Sequence, residues 1–466
     1  MRLGDLNKLL APWLASGFAD EYLEMECAGA CSDSREAAPG MLFCAIRGAV
    51  TDGARFIPQA LASGAAAVIT DSDTPVPDGI PVLRLRPHCG YHAVARTAEA
   101  FAGFPARRLR LFGITGTCGK TTTAYLFRDI MREAGIPCGM IGTVVYDTGD
   151  GEKEADRTTP TPFVIQDLFR RMVENGLECA VMECSSAALD QERMGDARFA
   201  GAVFTNFSRD HLDYHPSMEA YFQAKCKLFD EMLAENAPAV INMDDQWGAR
   251  LASGIGERQL VKLTLPGGER PWQSKLPGRF NDYNAAAAAL LALNAAGIPE
   301  ETIRRALMKS HGAPGRMEAR TFPGGLTAYV DYAHTPEEIA KALETLRPIC
   351  RGRLAILFGC GGDRDRGKRP EMARAASCAD MLWVTSDNPR TENPEAIIAD
   401  VMPGVAAGTL CRTIPDREAA IADAVSALGD GDILLVAGKG HESYQEINGV
   451  KHPFSDSAVL RRLGGM

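Results

Sequence analysis

The glycine-rich stretch around Lys120 has residue types suited to phosphate binding. The sequence GITGTCGKTTT follows a short apolar run, which predicts a turn between a strand and a helix that begins near Thr121. Glycines at positions 113, 116 and 119 permit a tight loop whose N–H groups face an anion, and Lys120 would reach the terminal phosphates. The strict phosphate-loop pattern is not met, because Ile114 stands where that pattern requires glycine. The loop predicts ATP or GTP binding, and the alternative is a glycine-rich turn with an exposed lysine.

Two other predicted strands end in side chains that could bind a metal ion. Glu183 ends the strand in VMECSSAALDQER, and His211 lies in NFSRDHLDYH after another strand. Ligands of open α/β sheets bind at the carboxyl ends of the strands, which favours metal coordination. A buried, hydrogen-bonded carboxylate and a structural histidine are the alternatives. Lys225, on the predicted helix YFQAKCKLF, would by itself be interpreted as a solvated lysine.

Short apolar runs alternate with helical patterns along the chain, which predicts an α/β fold with three domains. We expect an N-terminal domain at 1–108, a central domain at 109–314 and a C-terminal domain at 315–466. The central domain is predicted to hold a parallel, P-loop-type mononucleotide-binding sheet, and the C-terminal domain a Rossmann-like doubly wound sheet.

The elements that would position these residues follow from the same patterns. Predicted strands include MLFCAI in the first block, LRLFGIT, CAVMEC, GAVFTN and PAVINM in the second, and LTAYVDYA, LAILFG, MLWVTSD and DILLVAG in the third. Predicted helices of the central block span 121–134, 161–175, 217–234 and 284–296. Two helices and no strand are expected between MLWVTSD and DILLVAG.

The composition is that of an ordinary globular protein. Of the 466 residues, 46% are apolar and 24% charged, and the formal net charge is −10. This charge argues against a general nucleic-acid or membrane-surface binder, and no apolar run is long enough to span a membrane. Thirteen scattered cysteines without a repeated CxxC pair favour reduced thiols in a cytosol.

Ten motifs together resemble those of one enzyme family, the Mur ligases. They are GTCGKTTT, ECSSAALDQER, NFSRDHLDYH, YFQAKCKLF, GRFNDYN, PGRME, VDYAHTP, FGCGGDRDRGKRP, SDNPR and AGKGHESYQ, in this order. The resemblance covers nearly the whole chain, from SDSREAAPGMLFCAIRG onward. It implies ATP-driven addition of meso-2,6-diaminopimelate to UDP-N-acetylmuramoyl-L-alanyl-D-glutamate through an acyl phosphate, in peptidoglycan precursor synthesis. From the resemblance we also expect a monomeric enzyme of the bacterial cytoplasm, with no nucleic-acid or membrane partner.

The resemblance also implies an ATP site with Mg²⁺. The implied catalytic residues are Lys120, Glu183, His211 and Lys225. The implied metal ligands are Thr121, Glu183, His211 and a carbamylated Lys225. A carbamate is an anion that can bind Mg²⁺, whereas a free ammonium would be repelled. The implied ATP-binding residues are Gly116, Thr117, Cys118, Gly119, Lys120, Thr121, Thr122, Asn281, Asn284, Arg316, Asp331 and His334. A surface salt bridge is the alternative for Arg316, and a helix N-cap is the alternative for Asp331.

The acceptor and the amino acid have implied sites as well. Those for the UDP-sugar-peptide are Ser32, Ser34, Ala49, Val50, Thr51, Thr158, Thr159, Ser185, Gln191 and Arg193. Those for diaminopimelate are Arg364, Asp387, Asn388, Pro389, Arg390, Gly438 and Glu442. Arg390 can bind the distal carboxylate, which lysine lacks, and Glu442 suits the distal ammonium. A turn residue beside Pro389 is the alternative interpretation of Arg390.

The chain departs from the family pattern at Cys118, Arg157 and Ala187, which puts details of sugar-peptide contact near 157 and 187 in doubt. The segment 246–276 is short for the family. Lysine addition, folylpolyglutamate synthesis and a non-catalytic nucleotide-binding protein are the competing hypotheses. SDNPR argues against the first, the SDSR block against the second, and the four intact catalytic residues against the third.

Overall fold

The computed structural model describes residues 1–48, 51–256 and 259–466. Three β-sheets follow one another along these residues, each with helices from its own part of the chain, so the predicted α/β class is confirmed.

The first sheet has five strands in the order β1-β5-β4-β3-β2. The strands are β1 (Leu14–Ser16), β2 (Gly29–Cys31), β3 (Met41–Ala45), β4 (Ala67–Thr70) and β5 (Val82–Leu85), and the helices are α1 (Leu3–Leu10), α2 (Ile57–Ala62) and α3 (Gly90–Ala102). Strands β2 to β5 are mutually parallel, and the edge strand β1 is antiparallel to β5. Helix α1 buries Leu3, Leu6 and Leu10, which lie three and four residues apart on one helical face.

The central sheet has eight strands in the order β13-β12-β11-β6-β10-β7-β8-β9. They are β6 (Arg110–Thr115), β7 (Cys138–Ile141), β8 (Val145–Asp147), β9 (Glu152–Glu154), β10 (Cys179–Glu183), β11 (Phe199–Phe204), β12 (Ala239–Asn242) and β13 (Leu260–Leu263). Six strands are parallel, and β8 and β9 extend the edge as an antiparallel hairpin. Strands β6, β10 and β11 are neighbours, so the phosphate-loop, Glu183 and His211 segments leave the same edge of the sheet.

Helices connect these strands. They are α4 (Lys120–Glu133), α5 (Pro162–Glu174), α6 (Ser186–Asp190), α7 (Met218–Asp230) and α8 (Gln246–Ala252). Two further helices, α9 (Arg279–Ala296) and α10 (Glu300–Lys309), follow β13. The crossover helices bury apolar side chains such as Phe169, Phe222 and Phe229 against the sheet.

The third sheet has six strands in the order β14-β15-β19-β16-β17-β18. They are β14 (Glu318–Thr321), β15 (Thr327–Asp331), β16 (Leu354–Cys360), β17 (Met381–Ser386), β18 (Leu410–Thr413) and β19 (Ile433–Ala437); a separate hairpin contains β20 (Tyr444–Ile447) and β21 (Val450–Pro453). The helices are α11 (Pro336–Leu346), α12 (Lys368–Ala376), α13 (Pro394–Val401), α14 (Arg417–Ala427) and α15 (Asp456–Arg462). All pairs are parallel except β14 with β15.

Strand β16 shows why this sheet is covered on both faces. All of its residues are buried, and Ile356 and Phe358 pack into one apolar cluster while Ala355 and Leu357 pack into another. Successive side chains of a strand point to opposite faces, so a continuous apolar run needs helices on both sides. The predicted doubly wound sheet is therefore confirmed.

Most predicted elements are present, with shifted ends. The predicted helix at 284–296 begins at Arg279, and the expectation of no strand between β17 and β19 is wrong, because β18 lies there. The chain forms two compact units, 1–269 with 286–306 and 270–285 with 307–466. The predicted boundaries at 108 and 314 stay predictions. Within the described residues, every helix is too short or too polar to cross a membrane.

Candidate functional site

The loop between β6 and α4 has a conformation that requires glycine at two positions. Gly116 has φ +140°, and a Cβ atom built there would lie 2.0 Å from the Thr205 hydroxyl oxygen. Gly119 has φ +87° directly before the first turn of α4. L-residues rarely adopt these angles, so the two glycines bring the backbone into the close turn expected of a phosphate cradle.

The segment that follows β11 holds this loop. The Thr117 N–H donates to the Asn206 carbonyl at 2.9 Å, and the Cys118 N–H donates to Asn206 Oδ1 at 2.9 Å. Asn206 Nδ2 donates back to the Cys118 carbonyl at 3.0 Å. Two of the loop N–H groups are thus engaged by Asn206, and an incoming phosphate would meet Gly119 and the N-terminal turn of α4 instead. No sequence pattern predicts that Asn206 holds the loop, because it lies 88 positions from Cys118.

Two lysines converge on the loop carbonyls. Lys120 Nζ donates to the carbonyls of Gly116 and Thr117 at 3.0 and 2.7 Å, and Lys225 Nζ donates to the Gly116 carbonyl at 2.8 Å. Lys225 is buried on α7, so the solvated-lysine interpretation is wrong. Burial lowers the pKa of Lys225 well below its usual value, and the Lys120 cation lowers it further. A buried amine with a lowered pKa is a candidate functional group.

Glu183 lies at the end of β10 and is fully buried. Its Oε2 accepts hydrogen bonds from the hydroxyls of Thr121 and Thr143 at 2.9 and 3.0 Å, and its Oε1 accepts one from the Thr143 N–H at 2.8 Å. The carboxylate is therefore both hydrogen-bonded and in contact with Thr121, another residue predicted to bind a metal ion.

A cavity of about 220 Å³ opens beside these residues. It is lined by Lys120, Arg157, Thr158, Thr159, Ser185, Ser186, Ala187, Arg193, His211, Tyr214, His215 and Lys225. Seven of these are predicted site residues: Lys120, Thr158, Thr159, Ser185, Arg193, His211 and Lys225. Glu183 and Gln191 do not line it, although each contacts a residue that does.

The charges around the first cavity suit an anion. Arg193 donates to the Thr159 carbonyl at 2.6 Å and to Gln191 Oε1 at 2.9 and 3.1 Å, which fixes its guanidinium. Burial, and next the Arg157 cation, lowers the pKa of Arg193. The cavity wall carries four basic side chains, which are Lys120, Arg157, Arg193 and Lys225. A bound phosphate or carboxylate would relieve the repulsion between those that are charged.

Two histidines line the same cavity in different ways. His211 has φ +52° and a side chain that is half exposed, and burial of its ring lowers its pKa, with the Asp210 carboxylate opposing. His215 is buried, and its Nε2 lies 2.9 Å from Ser186 Oγ. His215, Ser186 and Tyr214 were missed by the sequence analysis, because nothing in their spacing distinguishes them from core residues.

The donor set in the first unit fits Mg²⁺ at one place. Thr121 and Glu183 supply a hydroxyl and a carboxylate in contact, which are the hard oxygen ligands that Mg²⁺ prefers. Among the described residues, no three His, Cys, Asp or Glu side chains are grouped to hold a metal ion. Lys225 as a free amine does not fit a cation. The residues therefore fit a metal at Thr121 and Glu183, and fit one at Lys225 only if that amine becomes an anion.

A second cavity, of about 380 Å³, lies at the carboxyl ends of β16, β17 and β19. It is lined by Tyr332, His334, Gly359, Cys360, Gly361, Arg364, Asp365, Lys368, Arg369, Met372, Asp387, Asn388, Arg390, Gly438 and Glu442. Six of the seven residues predicted for diaminopimelate are among them, and Pro389 is the exception. The two cavities belong to different compact units.

The loop that carries Arg390 is tied to the hairpin β20–β21. The Arg390 N–H donates to the Glu446 carbonyl at 3.0 Å, and the Asn448 N–H donates to the Arg390 carbonyl at 2.7 Å. Arg390 has φ +52°, and its Nη1 donates to the Gly362 carbonyl at 2.7 Å. Arg390 is thus a turn residue whose guanidinium also lines the cavity, and its contact with a distal carboxylate stays a prediction.

Glycines 362 and 438 allow this loop to approach. A Cβ atom at Gly362 would lie 1.9 Å from the Pro389 carbonyl oxygen, and one at Gly438 would lie 2.9 Å from Asp387 Oδ2. Pro389 therefore contributes through its backbone contact with Gly362 and not as a wall of the cavity.

The residues predicted for the nucleotide on the C-terminal side lie in the second unit. Asn281 and Asn284 are buried and joined by a 3.0 Å hydrogen bond. Asp331 accepts hydrogen bonds from the N–H groups of Met317 and Ala333, and Thr335 is the N-cap of α11, so the N-cap alternative for Asp331 is wrong.

Arg316 and His334 complete that group. The Arg316 guanidinium lies 4.7 Å from the centre of the Tyr332 ring. His334 Nδ1 lies 3.0 Å from the Tyr332 carbonyl oxygen, and its side chain lines the second cavity beside the residues predicted for the amino acid. His334 was predicted to contact the nucleotide, and that role stays a prediction.

Of the residues predicted for the uridine end, Ser32, Ser34 and Thr51 lie in segments that connect elements of the first sheet. Ser34 is buried and donates to Gln59 Oε1 at 3.0 Å, whereas Ser32 and Thr51 are exposed. Ala49 and Val50 lie outside the described residues. Ser32, Ser34 and Thr51 do not line the first cavity.

The fold and the first cavity define a class of α/β proteins that bind a nucleotide at a strand–glycine loop–helix turn. The chain matches the descriptions "Mur ligase family, catalytic domain" at 28–105, "Mur ligase middle domain" at 114–265 and "Mur ligase, glutamate ligase domain" at 315–440. With the relatives described next, these matches show that the chain belongs to the Mur ligase family.

Two relatives carry the same name, UDP-N-acetylmuramoyl-L-alanyl-D-glutamate–2,6-diaminopimelate ligase. The one from Gloeobacter violaceus is 44% identical, with 94% of each chain covered, and the one from Geobacter metallireducens is 40% identical, with 99% of each covered. A solved structure of that name has a TM-score of 0.68 and 32% identity, and the match covers 99% of this chain and 98% of the other. A MurF ligase from Thermotoga maritima, solved with ADP, shares the fold at 18% identity and a TM-score of 0.55, over 88% of this chain and 93% of the other.

Proposed function

We propose that the chain is an ATP-dependent ligase that adds meso-2,6-diaminopimelate to UDP-N-acetylmuramoyl-L-alanyl-D-glutamate. The observation that carries the proposal is the second cavity, in which Arg390 and Glu442 line one space of about 380 Å³. A carboxylate and an ammonium at one end of an amino acid would pair with these two side chains. Lysine would leave the Arg390 guanidinium without its carboxylate, which disfavours it.

The reaction proposed is amide formation through an acyl phosphate. The D-glutamate γ-carboxylate attacks the γ-phosphorus of ATP, and ADP leaves. The amine of diaminopimelate then attacks the acyl carbon, and inorganic phosphate leaves with the former carboxylate oxygen. The carboxylate and the triphosphate are both anions, so the basic wall formed by Lys120, Arg157 and Arg193 lowers the energy of their approach.

The first cavity has the groups that such a step needs. Lys120 projects from the phosphate loop into it, so a rotation of its side chain away from the Gly116 and Thr117 carbonyls would direct its ammonium to a γ-phosphate. Arg193 and Thr159, joined by a 2.6 Å hydrogen bond, form the part of the wall assigned to the sugar-peptide. Water exclusion around the acyl phosphate would protect it from hydrolysis.

We also propose a magnesium site in the first unit. Thr121 and Glu183 would hold one ion, and His211 with a carbamylated Lys225 would serve a second. The bound ions would supply positive charge next to the phosphoryl oxygens. The lowered pKa of Lys225 supports the modification, because a neutral amine is the form that reacts with carbon dioxide. All thirteen cysteines are free, which suits a reducing compartment, so we propose that the enzyme is in the bacterial cytoplasm.

A coupled assay of phosphate release tests the proposal. With ATP, the UDP-linked dipeptide and meso-diaminopimelate, we expect ADP, phosphate and a product heavier by one diaminopimelate residue, identified by mass spectrometry. Turnover with L-lysine equal to that with meso-diaminopimelate would contradict the assigned amino acid. Phosphate release without any amide product would contradict the assigned reaction.

A further inference from the structure

Lys439, to which the sequence analysis gave no role, is a fully buried lysine directly behind the second cavity. It follows β19 in the turn that leads to Glu442, and its side chain has no solvent exposure. Burying an ammonium is costly unless it is paired and hydrogen-bonded. Its hydrogen-bond partners are two residues that line the cavity, Glu442 and Asn388.

Two hydrogen bonds to the Glu442 carboxylate reach the same oxygen atom. Lys439 Nζ and Asn388 Nδ2 both donate to Oε2 of Glu442, each at 2.9 Å. Within the described parts of the chain, no protein donor bonds Oε1. Two donors on one oxygen fix the rotation of the carboxylate and leave the other oxygen as an acceptor for a ligand.

Lys439 also sets the orientation of Asn388. Its ammonium lies 3.1 Å from Asn388 Oδ1, which also accepts the Glu446 N–H at 2.9 Å. An ammonium can only donate, so the amide oxygen must face Lys439 and the amide nitrogen must face Glu442. One buried cation therefore orders both cavity residues.

We propose that Lys439 is a positioning residue for recognition of the second amino group of the incoming amino acid. It holds Glu442 Oε2 so that Oε1 faces the cavity and accepts a hydrogen bond from the distal ammonium. This inference rests on the proposed function, because it takes diaminopimelate as the ligand of this cavity. A purely structural lysine would not need both of its partners to be cavity residues, since apolar side chains fill buried sites at similar or better stability.

The test compares meso-diaminopimelate with 2-aminopimelate, which keeps the distal carboxylate and lacks the distal amine. We expect wild-type kcat/KM to favour diaminopimelate by about tenfold or more, as for one hydrogen bond between charged groups. Lys439→Met should bring this ratio close to one, as should Glu442→Gln, with KM for ATP little changed. In the Glu442→Gln background, Lys439→Met should change the ratio no further, because both act through one carboxylate.

The matched control is Lys451→Met. Lys451 is an exposed lysine of the neighbouring hairpin, with Nζ 4.0 Å from the centre of the Tyr444 ring. This variant should keep the wild-type ratio. If Lys439→Met does not fold, Lys439→Gln, whose neutral amide retains N–H donors, is measured in its place and should give a reduced ratio.

An unchanged ratio in the Lys439 variants would overturn the inference, as would additive effects in the double variant. These outcomes differ from failure of the proposed function, in which the wild-type enzyme itself would add neither amino acid.

Discussion

Replacement of Arg390 by alanine should remove the preference for an amino acid with a distal carboxylate. The backbone at Arg390 is held from both sides, by the Glu446 carbonyl and the Asn448 N–H, so the loop should keep its shape in the variant. A guanidinium has five N–H donors. Here Nη1 bonds the Gly362 carbonyl and Nε lies 3.4 Å from Glu446 Oε2, which leaves three donors for a ligand.

The magnitude follows from these contacts. Hydrogen bonds to charged groups are worth about 1.5–3 kcal/mol, and the Arg390 side chain is 23% exposed, so a pair with a carboxylate is partly screened. We expect a loss of about 2–3 kcal/mol, or about 30- to 150-fold in kcat/KM for meso-diaminopimelate. The value for L-lysine should hardly change, because lysine lacks the carboxylate.

The assay is phosphate release at varied amino-acid concentration, with product mass as a check. Arg390→Lys should fall between the wild type and Arg390→Ala, because an ammonium binds a carboxylate without the bidentate geometry. The control is Arg351→Ala, a change at an exposed arginine of the same unit. If Arg390→Ala keeps the wild-type ratio of kcat/KM for diaminopimelate to kcat/KM for lysine, Arg390 does not bind the distal carboxylate and the specificity argument is wrong.

Three further changes test other parts of the account. Gly116→Ala places a methyl group 2.0 Å from the Thr205 hydroxyl at φ +140°, so turnover should fall by about 100-fold or more with secondary structure retained by circular dichroism. Lys225→Met should nearly abolish turnover and raise the melting temperature at pH 7. Because burial lowers the pKa of Lys225 in the folded state, the unfolded chain binds the proton more strongly, which destabilises the folded wild type at pH 7. This penalty vanishes as the pH rises towards 10.5, the ordinary pKa of lysine, so the difference in melting temperature should shrink. Glu392→Gln tests the ion pair that Arg369 forms with Glu392, whose pKa is lowered from 4.5 to about 2. Its contribution to stability is complete above 4.5 and lost as the pH falls through 2, so urea midpoints of variant and wild type should differ at pH 7 and converge in acid.

The sequence predicted those elements whose signal is local. The run from Leu354 to Cys360 is apolar throughout, which identifies a strand covered on both faces whatever its neighbours are. Strand β18 was missed because it is short, lies at the sheet edge and has an exposed Leu410, so its pattern does not differ from a loop. Its pairing with β17 supplies the hydrogen bonds that make it a strand.

In the candidate site, too, only the residues with a local sequence signal could be predicted. Glycines 116 and 119 and Lys120 are adjacent in sequence, so their chemistry could be inferred directly. Asn206 contacts Cys118 across 88 positions, and Lys439 contacts Asn388 across 51, so neither pair leaves a pattern in the chain. The carboxylate of Glu183 was foreseen at a strand end, but its complete burial and its two threonine partners come from the packing of three segments.

The most direct measurement follows the oxygen atoms of the D-glutamate γ-carboxylate. The UDP-linked dipeptide is labelled with ¹⁸O in that group and allowed to react with ATP and meso-diaminopimelate. Transfer of one ¹⁸O atom per turnover to inorganic phosphate, with ADP as the nucleotide product, is the predicted result. Phosphate free of the label, or AMP carrying it, would contradict activation of the carboxylate by the γ-phosphoryl group.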